Sequence, residues 1–396
     1  MKLLFADRME ESEAGIFSIL KQKRTTLQRQ GRKIFDMSIG TPDFPPSSAV
    51  VEALINACRD MDNYKYAVSD IPELKEAIIA HYKRRFNVTL DRNSVMSVSG
   101  SQEGIAHISF ALCNPGDLIL VPDPGYPIFC DGPLLAGAKL FKYPLLKENN
   151  FIVDLQEIPS EIARKAKAMI VSYPLNPIGV TAPDEFYEDL VKFARDHEIM
   201  VIHDNAYSDM VFHGREGKSF LSYKGAMEVG IEFFSLSKSY NLAGARLSFA
   251  VGNSEIISRF KRLRSKIDYG IFLPLQHAAI AALNGEQDSV KKQCRCYEER
   301  GDKLCQGFRD LGWQVEAPMG SMFVWAQIPE NYPDSLAFCN DLMEKTGVIC
   351  TPGNCFGELG EGYVRFALVL SLSEIEEALL AIKKSGIILD VHGTLL

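Results

Sequence analysis

Residues 166–207, AKAMIVSYPLNPIGVTAPDEFYEDLVKFARDHEIMVIHDNAY, read as a strand, a turn set by proline and glycine, an amphipathic helix and a second strand. The two apolar runs are short and rich in Val and Ile, and the second ends in polar residues from His203 onward. Between them, 185–197 carries its apolar residues at helical spacing. The same alternation extends toward the N-terminus. Residues 94–100 (SVMSVSG) read as a strand closed by a glycine turn, 101–113 (SQEGIAHISFALC) as a helix, and 117–127 (DLILVPDPGYP) as a buried strand stopped by proline and glycine. Strands alternating with helices predict an α/β fold with a mostly parallel sheet covered by helices.

A different pattern follows. Residues 283–313 form a long, strongly charged helical stretch, and 314–328 (QVEAPMGSMFVWAQI), a further helix, 347–357 (GVICTPGNCFG) and 362–370 (GYVRFALVL) come after it. This predicts a smaller α+β domain with antiparallel strands. The expected division is an N-terminal arm and part of the small domain over 1–45, a large domain over 46–285 and the small domain over 286–396, joined by long helices between about 255 and 310.

Length and composition agree with two packed regions: 396 residues exceed what one core fills, and 46% are hydrophobic. With 43 Lys and Arg against 51 Asp and Glu, the net charge of −8 argues against nucleic acid or an anionic membrane as a partner. The basic runs 81–86 (HYKRRF) and 261–266 (KRLRSK) read as solvated helix faces. Nine cysteines without framework spacing predict a reduced, cytoplasmic setting, and CRC at 294–296 lacks the second pair of a zinc site, so no metal is expected. Residues 1–20 lack the continuous apolar core of a signal peptide, and no run reaches the roughly 18 apolar residues of a membrane helix.

In sheets of this class the ligand sits beyond the carboxyl ends of the strands. Asp204 ends one of them, where an unpaired carboxylate is costly, so it needs a cationic or hydrogen-bonding partner or else caps a helix. Tyr207 follows in the same loop, and Asn176 sits in LNPIG beyond the adjacent strand. Residues 99–104 (SGSQEG) open a helix and leave backbone N–H groups free for a phosphate, although such turns are common without one. In 233–248 (FFSLSKSYNLAGARLS), Ser235, Ser237 and Ser239 surround Lys238, with Arg246 downstream: an amine beside an anion, or a surface lysine. Together these residues match the demands of pyridoxal 5'-phosphate, whose phosphate needs donors and an arginine, whose ring nitrogen needs a carboxylate, and whose aldehyde needs a lysine.

From 36–46 (DMSIGTPDFPP) to 362–368 (GYVRFAL), with S-x-S-K-x(7)-R in order after the Asn, Asp and Tyr, the chain resembles the fold-type I pyridoxal-phosphate aminotransferases of class I/II. Its texture in GSQEGIAH and NPGDLILVPDPGYP is most similar to the branch that contains LL-diaminopimelate aminotransferase. The resemblance implies an aspartate aminotransferase-like fold whose large domain binds the cofactor, and transfer of an amino group from an L-amino acid to a 2-oxo acid such as 2-oxoglutarate. It implies that Lys238 forms the internal aldimine and moves the α-proton, that Ser101, Gln102, Ser235, Ser237 and Arg246 hold the phosphate, and that Asp204 keeps the ring nitrogen protonated. Asn176 and Tyr207 would donate to the phenolic oxygen, Tyr126 would stack on the ring, and Arg365 would bind the substrate carboxylate near Gly40. Tyr66 matches a tyrosine that reaches the phosphate across a subunit interface, which implies a homodimer.

Where relatives carry a bulky aromatic and then glycine, this chain has Ala245 and Ser248, and Ile178 stands for a threonine. The segment YAVSDIPELK around Tyr66 is one residue shorter than in relatives. A β-eliminating lyase of the same fold uses the same lysine, and transcription regulators use the fold without catalysis but add a DNA-binding module that the acidic balance here does not suit. For Arg365 the alternative is a salt bridge to Glu358 or Glu361 in the preceding loop, and a second basic group for a dicarboxylic substrate is sought in 261–272 (KRLRSKIDYGIF).

Overall fold

The computed structural model describes Ala6 and residues 16–388, the side chains of 16–22 excepted. Most of the stretch read for a signal peptide and the beginning of the expected arm lie outside the described residues. After helix α1 (Ile16–Arg29) and strand β1 (Phe35–Asp36), helices α2 (Ser48–Arg59) and α3 (Pro72–Phe86) lead into a seven-stranded sheet. Its strands are β2 (Val95–Val98), β3 (Leu118–Asp123), β4 (Lys139–Pro144), β5 (Ala166–Ser172), β6 (Met200–Asp204), β7 (Gly230–Ser235) and β8 (Ser248–Gly252). Helices α4 (Ser101–Leu112), α5 (Ile128–Leu135) and α6 (Asp184–Asp196) alternate with them.

The spatial order is β2-β8-β7-β6-β5-β3-β4. Both pairings of β8 are antiparallel and the others are parallel. The apolar runs of the inner strands are continuous because these strands are covered on both faces. Ile170, Ile202 and Phe233 pack with Ile105 and Ile108 of α4, whereas Val171, Val201 and Phe234, one residue on or back, pack with Tyr82 of α3 and Leu190 of α6.

The single reversed strand decides where the polar residues gather. Ser248, the first residue of β8, pairs with Ser235 at the end of β7 and with Val98 at the end of β2. The start of β8 and the carboxyl ends of β2, β5, β6 and β7 therefore share one edge.

Helices α7 (Ser254–Arg264), α8 (Leu273–Asn284) and α9 (Asp288–Asp310) follow the sheet, and then β9 (Phe323–Gln327), α10 (Ser335–Thr346), β10 (Val348–Ile349), β11 (Thr351–Pro352), β12 (Tyr363–Ala367) and α11 (Leu372–Ser385). Strands β11, β12 and β9 make an antiparallel sheet, and β1 pairs in parallel with β10, tying Phe35 and Asp36 to Val348 and Ile349. Phe308, Trp313, Phe338 and Phe366 center a separate apolar cluster here, and it receives Tyr207 and Met210 from the loop after β6.

The two basic runs are not solvated throughout. His81, Tyr82 and Phe86 are buried, and Arg264 is 7% exposed, donating to Ser97 O and pairing with Asp268 at 2.8 Å. Helix packing withdraws these residues and leaves Lys83, Arg84, Arg262 and Lys266 exposed.

Glu232 of β7 is fully buried and was not singled out by its sequence context. Its carboxylate accepts from Tyr82 Oη at 2.8 Å, Ser219 Oγ at 2.9 Å, Phe220 N at 2.8 Å and lies 2.9 Å from His203 Nδ1. Four partners from α3, β6 and the 219–220 turn thus converge behind the strands that carry Asp204 and Lys238. Tyr82→Phe removes one donor without changing shape and is expected to lower the unfolding free energy by about 1–3 kcal/mol, read from the midpoint of urea denaturation of the cofactor-free protein.

Candidate active site

A cavity of about 580 Å³ opens at the shared strand edge. The β2–α4 turn supplies Ser101 and Gln102, the loop after β3 supplies Tyr126, the loop after β5 Asn176, and the end of β6 Asp204 and Tyr207. From the β7–β8 connection come Ser235, Ser237, Lys238 and Arg246; Gly40 and Arg365 complete the wall from the second sheet region. Twelve of the thirteen residues marked in the sequence therefore meet in one place, although they span positions 40 to 365. Tyr66 does not line the cavity: it is 81% exposed and packs against Tyr269 with ring centroids 5.2 Å apart.

Local chemistry explains the lysine turn. Ser235 caps the one-turn helix Leu236–Ser239 by accepting from Ser237 N at 3.1 Å, and it receives the Ser248 hydroxyl at 2.9 Å. Ser248, a departure from the family pattern, thus braces the cap. Ser239 points elsewhere, donating to Asp209 Oδ2 at 2.7 Å. Ile178, the other departure, is buried in the large apolar cluster, and Ala245 ends the short turn that precedes Arg246.

Lys238 Nζ donates to Gly40 O at 2.6 Å. Gly40 is required there, since a Cβ would lie 2.4 Å from the Phe323 ring. Burial, followed by the positive charges of Arg365 and Arg246, pushes the Lys238 amine down to about 8, while Asp204 opposes the shift. Asp204 is pushed up to about 6 by burial, against the pull of His203, the Ala206 N–H and Lys238. Its Oδ1 is buried without a hydrogen-bond partner. Burial also raises Tyr207 and Tyr126, and Tyr126 donates to Gln102 Oε1 at 3.0 Å.

Arg365 is 3% exposed and forms no salt bridge with either acidic residue of the preceding loop. Glu358 pairs with Lys142, and Glu361 accepts from Ser335. The guanidinium donates to Asn176 Oδ1 at 2.9 Å and Ser38 O at 2.7 Å, and it lies between the Phe323 and Phe356 rings at 4.1 and 4.6 Å. Burial pushes it down to about 10, and Nε has no partner. The two phenylalanines and the Ser38 carbonyl carry no sequence signal; their roles come from tertiary placement. Within one chain none of residues 261–272 lines the cavity.

A family model described as aminotransferase class I and II matches residues 32–382. The chain belongs to the class I and II aminotransferases. It is 41% identical over 384 residues to an LL-diaminopimelate aminotransferase of Halothermothrix orenii, covering 96% of this chain and 98% of the relative. Among solved structures it is similar to substrate-bound BacF from Bacillus subtilis, with a TM-score of 0.93 at 35% identity over 97% of this chain and 98% of that one. A Thermus thermophilus aspartate aminotransferase double mutant gives 0.90 at 25% identity, covering 97% and 100%.

The fold is accordingly aspartate aminotransferase-like, fold type I, and the protein is a pyridoxal-phosphate-dependent enzyme that moves an amino group between an amino acid and a 2-oxo acid. The residues present fit that cofactor. Asp204 has a buried carboxylate oxygen without a partner, which is what a protonated ring nitrogen would need. Gly100, at φ +93°, lets Arg246 lie against the turn that opens α4, where a Cβ would meet Nη2 at 2.3 Å. Among the described residues no helix is long and apolar enough to cross a membrane.

The electrostatics set a measurable amine. Reductive methylation of the cofactor-free protein is expected to modify Lys238 with a midpoint near pH 8, below the ordinary lysine value of 10.5. Arg365→Met removes a positive charge that favors the neutral amine, so the midpoint should move upward. An unshifted midpoint in the wild-type protein would contradict this account.

Proposed function

We propose that the chain transfers the amino group of LL-diaminopimelate, an intermediate of amino-acid biosynthesis, to 2-oxoglutarate, with Lys238, Asp204 and Tyr207 at the reacting center. One observation carries the reading: an amine held near neutrality, an unpartnered carboxylate and a buried guanidinium with a free Nε face a single cavity. The name of the Halothermothrix orenii relative supports the donor. So does the wall: Lys238, Arg246 and Arg365 are the cationic residues lining the cavity among the described residues. A distal end bearing both ammonium and carboxylate is net neutral and needs no further cation, whereas the distal carboxylate of 2-oxoglutarate would take a donor from outside the single-chain wall.

In this reading Ser101, Gln102, Ser235, Ser237 and Arg246 would hold the cofactor's phosphate through hydroxyls, the α4 N-terminus and one guanidinium. Asp204 would hold the ring nitrogen, Asn176 and Tyr207 would donate to the phenolic oxygen, and Tyr126 would cover a ring face. When bound, the cofactor supplies an electron sink for the charge that develops at the substrate α-carbon. Lys238 would anchor the cofactor covalently and then, as a free amine, take and return the α-proton. An amine shifted toward neutrality suits both directions of that transfer. Arg365 would turn its fork to the α-carboxylate beside Gly40 and fix which α-bond faces Lys238.

The active unit is proposed to be a homodimer in the cytoplasm. Tyr64, Tyr66, Tyr269 and Phe272 form an exposed aromatic patch, with Tyr64 and Phe272 centroids 5.6 Å apart, of the kind a second copy covers. Tyr66 would then reach the partner's phosphate site. The nine free cysteines favor a reducing compartment. Residues 46–285 are proposed as the cofactor domain, flanked by 1–45 and 286–396.

An amino-donor screen against 2-oxoglutarate tests the substrate: LL-diaminopimelate is expected to give the highest kcat/KM, and Lys238→Ala to abolish turnover while still binding the cofactor. Equal turnover in that variant would overturn the lysine assignment; preference for a monocarboxylic aromatic donor would overturn the substrate.

Arg365→Lys keeps the charge and loses the fork. Apparent affinity for amino and oxo acids is expected to fall together by about 1.5–3 kcal/mol, measured by titrating the loaded variant with several of each. A drop in melting temperature with unchanged affinity would make Arg365 a structural residue.

A further inference from the structure

Helix α9 buries two polar side chains that do not line the cavity. Gln293 is 3% exposed and Arg300 is 7% exposed. Farther along the same helix the buried positions turn apolar, at Leu304, Cys305 and Phe308. Residues 293, 297 and 300 stand at i, i+4 and i+7, which places them on one stripe of the helix. The two polar members reach the main chain at Lys238 and the side chain of Asp43, three residues from Gly40.

Gln293 uses both ends of its amide. Nε2 donates to the main-chain oxygen of Lys238 at 2.7 Å, and Oε1 accepts from Asn241 Nδ2 at 2.6 Å. Asn241 has φ +57° and also reaches Pro45 O at 3.3 Å. Arg300 makes a forked pair with Asp43, Nη1 to Oδ1 at 2.8 Å and Nη2 to Oδ2 at 2.7 Å, while Nη1 also reaches Leu368 O at 2.9 Å. Tyr297 Oη adds a bond to Asp43 Oδ1 at 3.2 Å. One stripe thus grips the backbone of the lysine and the segment three residues beyond Gly40. The contact between these two grips is Lys238 Nζ on Gly40 O.

We propose that Gln293 and Arg300 are positioning residues for the transfer reaction: from one face of α9 they set where the Lys238 amine points and how near it lies to the main chain at Gly40. This rests on Lys238 being the lysine that holds the cofactor. An apolar stripe would pack the helix as well, because a buried ion pair is commonly replaceable by hydrophobic residues without loss of stability. What an apolar stripe does not provide is a directed bond to the Lys238 carbonyl. Displacement of the reacting amine by a fraction of an ångström acts on the proton transfer, not on the affinity for substrate, which Arg365 governs.

The test uses the cofactor-loaded enzyme and two substitutions: Gln293→Met, which keeps length and loses both bonds, and Gln293→Glu, which keeps an acceptor for Asn241 and loses the donor to Lys238. In both, kcat is expected to fall about ten- to hundredfold with amino-acid KM within about twofold of wild type, and the pH midpoint of the bound cofactor's visible absorbance is expected to shift. Arg300→Lys, which keeps charge but not the fork, should shift the same midpoint in the loaded enzyme. Wild-type kcat and absorbance midpoint in both Gln293 variants, with only the melting temperature lowered, would overturn the proposal. If Gln293→Met does not accumulate as folded protein, Gln293→Glu and Arg300→Lys decide by the same two readouts. Borohydride reduction followed by peptide mapping separates the failures: a label on a residue other than Lys238 defeats the lysine assignment itself, whereas a label on Lys238 with unchanged kinetics defeats only the role of α9.

Discussion

Three charged groups, Lys238, Asp204 and Arg365, are withdrawn from water around one cavity without pairing to one another, and the surrounding structure is arranged to tolerate that. Burial displaces all three from their ordinary values toward neutrality: the amine to about 8, the carboxyl to about 6 and the guanidinium to about 10. A folded chain ordinarily relieves such groups by ion pairs. Here the relief is partial and comes from neutral oxygens and rings: Gly40 O for the lysine, Ser38 O and Asn176 for the arginine, two phenylalanine faces beside it. Neutral partners leave each charge available to a ligand, which suits a site that must take up an anionic substrate and a protonated ring.

Rigid elements hold the cost in place. Asp204 stands at the end of a strand bonded on both sides, and the adjacent Glu232 is locked by four partners from three parts of the chain. That carboxylate is fully satisfied, whereas Asp204 keeps one oxygen free. The two acids differ in place as well as in bonding: Glu232 lies away from the cavity among its four partners, and Asp204 lines the cavity with a free oxygen, as the proposed ring-nitrogen partner would.

The fold was legible where the signal is local. Apolar runs of strand length, the Pro-Gly stops after β3 and β5, and the helical spacing of 185–197 each arise from neighbors in sequence, so the α/β alternation and the residues at strand ends could be read directly. The antiparallel insertion of β8 could not: its apolar run looks like the others, and its direction depends on the sharp connection through Arg246, whose φ of +51° is unusual for a non-glycine residue. Long-range contacts were equally silent. Glu232 in IEFFS, Phe323 in GSMFVW and Gln293 in the long, strongly charged helical stretch acquire partners only when elements far apart in sequence meet. Arg264 sits in a run that reads as solvated and is buried for the same reason. Tyr66 is marked by resemblance alone, and within one chain it is exposed and does not line the cavity.

The two sheet regions divide the cavity unevenly, and the division fits the chemistry. Every residue proposed to hold the cofactor within one chain comes from the seven-stranded sheet or its loops, whereas Gly40 and Arg365 arrive from segments tied to the other sheets: β12 carries Arg365, and β1, paired with β10, leads to Gly40. Transamination requires one ligand to stay while two different acids enter and leave in turn. The cofactor's proposed partners thus lie on one layer and the carboxylate's on another, and the two sets touch within the cavity. Among the many contacts between the layers, three join residues of the cavity wall itself: Asn176 to Arg365, the edge of Tyr207 on Phe323 with centroids 5.9 Å apart, and Lys238 to Gly40. Each bridge joins a residue of the cofactor side to one of the substrate side. An acid that binds Arg365 therefore acts directly on Asn176, and displacing the Gly40 carbonyl acts directly on the amine that must move the proton.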